Sequence, residues 1–146
     1  MPLAFRNLTI TPEDPVVSWP TEAVQAALER GDLAHLRRLA VELNREPWGR
    51  IARQVEEVLT HARPYGIAEA METVLQRARE RAEADERHHV AADVRAAIAR
   101  AGLSRSEFAS RIGTSSSRLS TYATGRVMPS ATLMVRMHRG ANEGPA

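Results

Sequence analysis

The chain has 146 residues, 43% of them hydrophobic and 26% charged, with no cysteine and a formal net charge of +2. That length allows one or two small domains with a modest core, and the missing cysteines exclude a disulfide framework and a thiolate metal site. No apolar run reaches the length of a membrane span, and the N-terminus lacks the charged-then-apolar pattern of a signal peptide, so a cytoplasmic protein with no membrane partner is expected.

The first segment, Leu8-Thr9-Ile10-Thr11, alternates as a brief strand would, and Pro12 and Pro15 would stop it. Ser18 or Thr21 is placed to cap a helix running to Arg30 and closed by Gly31. Asp32 opens a second helix with Leu33, Leu36, Leu39, Ala40 and Leu43 at helical spacing. Pro47-Trp48-Gly49 breaks it, and Ile51, Val55, Val58 and Leu59 form a third stripe ending near Pro64-Tyr65-Gly66. Trp19 and Trp48 are expected to anchor the core of this helical bundle, which is assigned to residues 1–78.

From Ile67 a longer helix carries Met71, Val74, Leu75 and Ala78 on one face, after which the stripe gives way to charge. Residues 79–89 contain no helix breaker, and Arg81–Asp85 and Glu83–Arg87 are spaced for i,i+4 pairs worth about 0.2–0.5 kcal/mol each. A polar helical connector is expected here, able to run unbroken into the next unit. A coiled-coil seam would need large apolar residues that the stretch lacks.

The richest stretch is Gly102 to Tyr122. Ser104 can cap a helix with Glu107 completing a capping box, and Phe108, Ala109 and Ile112 give that helix an apolar stripe. Gly113 suits a sharp turn with positive φ. Ser115 then caps a second helix, predicted over 115–124, that buries Leu119 and Tyr122 and leaves Ser116, Ser117 and Arg118 polar in its first turn. Two short helices joined in this way form a helix-turn-helix.

At these residues the chain resembles the phage repressor/Cro (XRE-type) family. The resemblance is carried by Leu103, Ser104, Phe108, Ala109, Ile112, Gly113, Ser115, Leu119, Tyr122, Gly125, Pro129 and Ser130, and it covers roughly residues 90–139. A preceding helix (90–101) and a following one (130–139) complete the unit, and a flexible tail is expected over 140–146. The expected fold class is thus all-α: an N-terminal bundle joined by a long polar helix to a C-terminal helix-turn-helix domain.

Charge is divided in the same way. Residues 1–89 carry 12 Arg against 15 Asp and Glu, a balance of −3, whereas residues 90–146 carry 8 Arg against 3 acids, a balance of +5. Phosphate neutralisation needs the basic charge on the second half. The resemblance implies that Ser116, Ser117 and Thr121 face the major groove of double-stranded DNA, with short hydroxyls that select no particular base. Arg118 could reach a guanine or grip a phosphate. Arg105 matches a backbone-contacting position of the family, Ser115 can offer a hydroxyl or N–H to phosphate, and Arg126 is a second candidate phosphate clamp.

No phosphate-binding glycine loop, nucleophile elbow or metal-ligand spacing occurs, and the adjacent pair His88-His89 cannot point one way on a helix. No enzyme, cofactor or metal is therefore expected. The leading expectation is a transcriptional repressor acting at the nucleoid, dimerising through its N-terminal domain, because an exit from the last helix at Gly140 leaves little to dimerise there. In that reading the N-terminal domain could instead receive an effector signal; the alternatives are an antitoxin whose N-terminal domain binds a toxin, or a phage or plasmid accessory protein that uses the motif to dock another protein.

Overall fold

Seven α-helices follow one another in the computed structural model, which describes residues 2–143. They are α1 (Thr21–Arg30), α2 (Leu33–Arg45), α3 (Arg50–Leu59), α4 (Ile67–Ala101), α5 (Arg105–Ile112), α6 (Ser116–Ala123) and α7 (Ala131–Asn142), preceded by one 3-10 turn at Val16–Ser18. Among the described residues there is no strand, so the fold is all-α. Two compact units divide the chain into residues 1–82 and 83–146, and the division falls inside α4.

In the first unit, Leu8–Ile10 is irregular rather than a strand. Alternation alone does not make a strand without a neighbour to pair with, and a turn at Arg6-Asn7, with Asn7 at φ +58°, redirects the chain just before it. The entry segment instead lays Leu3, Phe5, Leu8 and Ile10 against the core of α1, α2, α3 and the first turns of α4. Trp19 is fully buried at its centre, its Nε1 donating to the Asp14 carbonyl at 3.1 Å and its ring meeting Phe5 edge-on at 5.1 Å.

Three further expectations fail in this unit. Neither Ser18 nor Thr21 caps α1: Pro20 occupies the N-cap, and the Ser18 hydroxyl donates back to the Pro15 carbonyl at 2.6 Å. Trp48 is not a core anchor but 52% exposed, with the Arg79 guanidinium 4.6 Å above its ring. Leu33, placed on the buried stripe, is 61% exposed because it sits in the first turn of α2, and the buried contacts of that helix begin with Leu36 and Leu39. Asp32 does cap α2, accepting from the His35 amide at 3.1 Å while His35 Nδ1 accepts from the Asp32 amide.

α4 runs unbroken for 35 residues. Of its buried positions, Ala68, Met71 and Leu75 belong to the first core, Ala78 follows them, and Ala91, Val94, Ala97 and Ala101 come from its second half. Between them the helix is polar. The expected i,i+4 ion pairs do not form among the described residues; Arg81 donates to Asn44 instead. Exposed pairs of this kind gain too little to hold two long side chains in one geometry.

The second unit packs α5, α6 and α7 around Phe108, Ile112, Leu119 and Met137, with Val94, Ala97 and Ala101 of α4 completing the core. Tyr122 is half-buried, and Ala123 joins Leu119 on the inner face of α6. α7 does not end at Gly140 but continues to Asn142. A Cβ on Gly140 would lie 3.3 Å from Ile112 and 3.5 Å from Phe108, so this glycine serves close helix crossing rather than a stop. The tail expected over 140–146 is therefore helical as far as Asn142, and its residues 144–146 lie outside the described residues.

Candidate nucleic-acid interface

Local hydrogen bonds set the start and stop of each helix in the second unit. The Ser104 hydroxyl accepts from the Glu107 amide at 3.1 Å, and the Glu107 carboxylate accepts from the Ser104 amide at 3.3 Å, closing a capping box on α5. At the other end Gly113 takes φ +79°, the Thr114 amide donates to the Ala109 carbonyl at 2.9 Å and the Gly113 amide to Ser110 at 3.3 Å. This pair of bonds is a Schellman motif, which satisfies the orphan carbonyls while reversing the chain. The Ser115 hydroxyl then accepts from the Arg118 amide at 3.2 Å and starts α6. Gly125, at φ +78°, ends it with the same motif, Arg126 donating to Thr121 at 3.1 Å and Gly125 to Tyr122 at 3.2 Å.

Arginines from neighbouring helices close the remaining carbonyl ends. Arg136 of α7 donates to the Ile112 carbonyl at the end of α5 at 3.1 Å. Arg95 of α4 donates to the Ala123 carbonyl at the end of α6 at 2.6 Å. Arg111 of α5 donates to the Gly140 carbonyl in the last turns of α7 at 3.2 Å. Each places a cation at the negative end of a helix dipole and crosses from one helix to another. Three of the eight arginines that made this half basic are thus framework groups. No spacing rule marks them, because their partners lie 24 to 29 residues away.

The expected contact residues come together on and beside α6. Ser115, Ser116, Ser117 and Arg118 are exposed on its cap and first turn, and the Ser115 and Ser117 hydroxyls lie 3.4 Å apart. Arg105 is exposed at the start of α5, its Nη1 donating to the Ser120 hydroxyl of α6 at 3.4 Å. Thr121 is half-buried one turn further along α6. Its hydroxyl donates to the Arg118 carbonyl at 2.6 Å. Arg126 is exposed in the loop after α6. The side chains of Arg118 and Arg126 have no partner among the described residues, so both cations are available to a ligand. Among the same residues no three His, Asp or Glu side chains cluster as metal ligands would.

Residues 94–142 match the helix-turn-helix family. This segment is a DNA-binding helix-turn-helix domain of the XRE type. No curated protein and no solved structure matches the chain. The matched segment begins at Val94, within α4, so its first helix is the last part of a much longer one. The motif pair is α5 and α6, joined through Gly113, Thr114 and Ser115, and α7 closes the domain. No helix among the described residues is long and apolar enough to cross a membrane.

Proposed function

We propose that the protein is a sequence-specific transcriptional repressor that inserts the first turn of α6 into the major groove of duplex DNA. The observation that carries this reading is the exposed turn Ser116-Ser117-Arg118, flanked by the exposed cations Arg105 and Arg126 and fixed at its start by the Ser115 cap. Hydroxyls at 116, 117 and 121 would meet base edges, while Arg105, Arg118, Arg126 and the cap of α6 would hold phosphates. Bound there, the domain would exclude polymerase by occupying the site. The reading makes the chain a binding protein, not an enzyme.

A dimer through residues 1–82 would need two such helices about 34 Å apart, one duplex turn, to read a two-fold site. In the antitoxin alternative the partner of that unit would be a toxin rather than a second copy.

The test is selection of bound duplexes from a random-sequence pool, followed by binding measured against salt. Arg118→Ala and Arg126→Ala should each reduce the slope of log affinity against log salt by about one. Wild-type protein that enriches no sequence and shows no salt-dependent binding overturns the reading. An enriched palindrome supports the dimer; a single half-site bound by a monomer at full affinity removes it.

A further inference from the structure

α6 has eight residues, about two turns, and isolated helices shorter than roughly 12–15 residues are marginal in water. Its orientation must therefore come from outside. At its start Ser115 supplies a cap; at its end the Arg95 guanidinium reaches from α4 and donates to the Ala123 carbonyl at 2.6 Å in a partly buried bond. Arg95 itself is anchored beside Val94, which is fully buried in the same core as Ala123. One turn earlier, α4 also supports the loop that follows α6. A Cβ on Gly125 would lie 3.4 Å from the Ala91 side chain and 3.5 Å from the Arg87 carbonyl, so the loop carrying Arg126 rests directly on this helix.

We infer that Arg95 is a positioning residue for DNA recognition: by holding the end of α6 it sets the angle at which Ser116, Ser117 and Thr121 meet the bases. The inference rests on the reading of α6 as the DNA-reading helix. The lever is long for so short a helix. Ser116 lies seven residues from the clasp, about 10 Å at about 1.5 Å per residue, so a tilt of about 10° displaces it by nearly 2 Å. Recognition hydrogen bonds tolerate displacements of only about 0.5 Å. Loosening the clasp should therefore damage base readout while sparing phosphate contacts, which adapt through long arginine side chains.

This separates Arg95 from Arg118 and Arg126. The full-length protein is titrated, well below its melting temperature, with a duplex enriched by the wild type and with a mixed-sequence duplex of equal length. Arg95→Ala should weaken binding to the enriched duplex about 10-fold or more, within the usual specific-to-non-specific margin, and leave the mixed-sequence duplex within about 2-fold. The salt slope should be unchanged. Arg95→Lys, which keeps one donor, should recover most of the loss. Arg95→Met, which keeps the apolar stem without a donor, should behave as Arg95→Ala and serves if the alanine variant does not fold.

Unchanged affinity of Arg95→Met for the enriched duplex overturns the inference. So does an equal loss on both duplexes with a slope reduced by about one, because Arg95 would then be a phosphate contact. A wild type that enriches no sequence removes the DNA reading itself, a different failure from a wild type that binds and an Arg95 variant that binds equally well.

Discussion

Both units use arginine to close backbone carbonyls, but on different objects. In the first, Arg38 donates to the carbonyls of Pro12 and Asp14 and stands 5.3 Å over the Trp19 ring, while Arg50 donates to Val17 and Trp19. These bonds strap irregular chain onto a bundle. In the second, Arg95, Arg111 and Arg136 bind carbonyls in the last turns of helices whose starts are already capped locally. The difference follows from the chain before each core. Residues 2–20 form no helix beyond one 3-10 turn, so their carbonyls need long-range donors and a large anchor, Trp19. The planar guanidinium fork serves both tasks, which an ammonium would do less well.

The comparison breaks most sharply at the two anchors. Trp19→Ala should cost about 3–5 kcal/mol and Leu119→Ala about 2–5 kcal/mol, since each leaves a cavity in a closed core. Amide exchange should assign the first loss to residues 1–82, with the entry segment released beside Arg38 and Arg50. The second loss should fall on residues 83–146. A Trp19→Ala loss below about 1 kcal/mol would mean that the straps hold the entry segment without their anchor.

A smaller effect sharpens the contrast in helix starts. Ser104→Ala removes a side-chain cap and one half of a capping box, and should destabilise the second unit by about 1 kcal/mol. Thr21→Ala should change stability by less than about 0.5 kcal/mol, because Thr21 follows a proline N-cap that makes no side-chain bond. Equal losses in denaturant titrations of the two variants would contradict the assignment.

These two serine and threonine positions also show what could be read in advance. From Ser104 to Ser130 each helix boundary is written within three or four residues, in caps and left-handed glycines, so the helix-turn-helix and the exposed first turn of α6 are legible in the sequence. In the first unit the same residue types misled. Ser18 caps nothing, and Trp48 looked like core yet lies half open under Arg79. Trp19 and Trp48 are chemically alike and each sits by a break in the chain. What distinguishes them is the neighbours they meet in space, Phe5 and Arg38 for one and Arg79 for the other. The framework arginines were hidden for the same reason: backbone carbonyls leave no signature in a sequence. Gly140 shows the converse, a helix-stop residue retained inside a helix because Phe108 and Ile112 crowd it.

Arg79 of the first unit adds a carboxylate partner to its carbonyl bond, and the worth of that charge can be tested separately. Arg79 donates to the Pro47 carbonyl at 3.0 Å, covers Trp48 and pairs with Glu56. The hydrogen bond from Arg79 holds the Glu56 carboxyl below its ordinary range, with Coulomb attraction adding to it and desolvation opposing it. A lowered folded-state value means that the contribution is present above the ordinary carboxylate range and is lost as pH falls through the folded-state value. Glu56→Gln should therefore cost less than about 1 kcal/mol at neutral pH, since the pair is partly exposed. The gap between variant and wild type should then close as the medium becomes acidic. The difference is the informative quantity, because Asp32, also lowered, chiefly by the His35 amide, makes both proteins less stable in acid. A gap that persists at low pH would assign the effect of Glu56 to packing rather than to its charge.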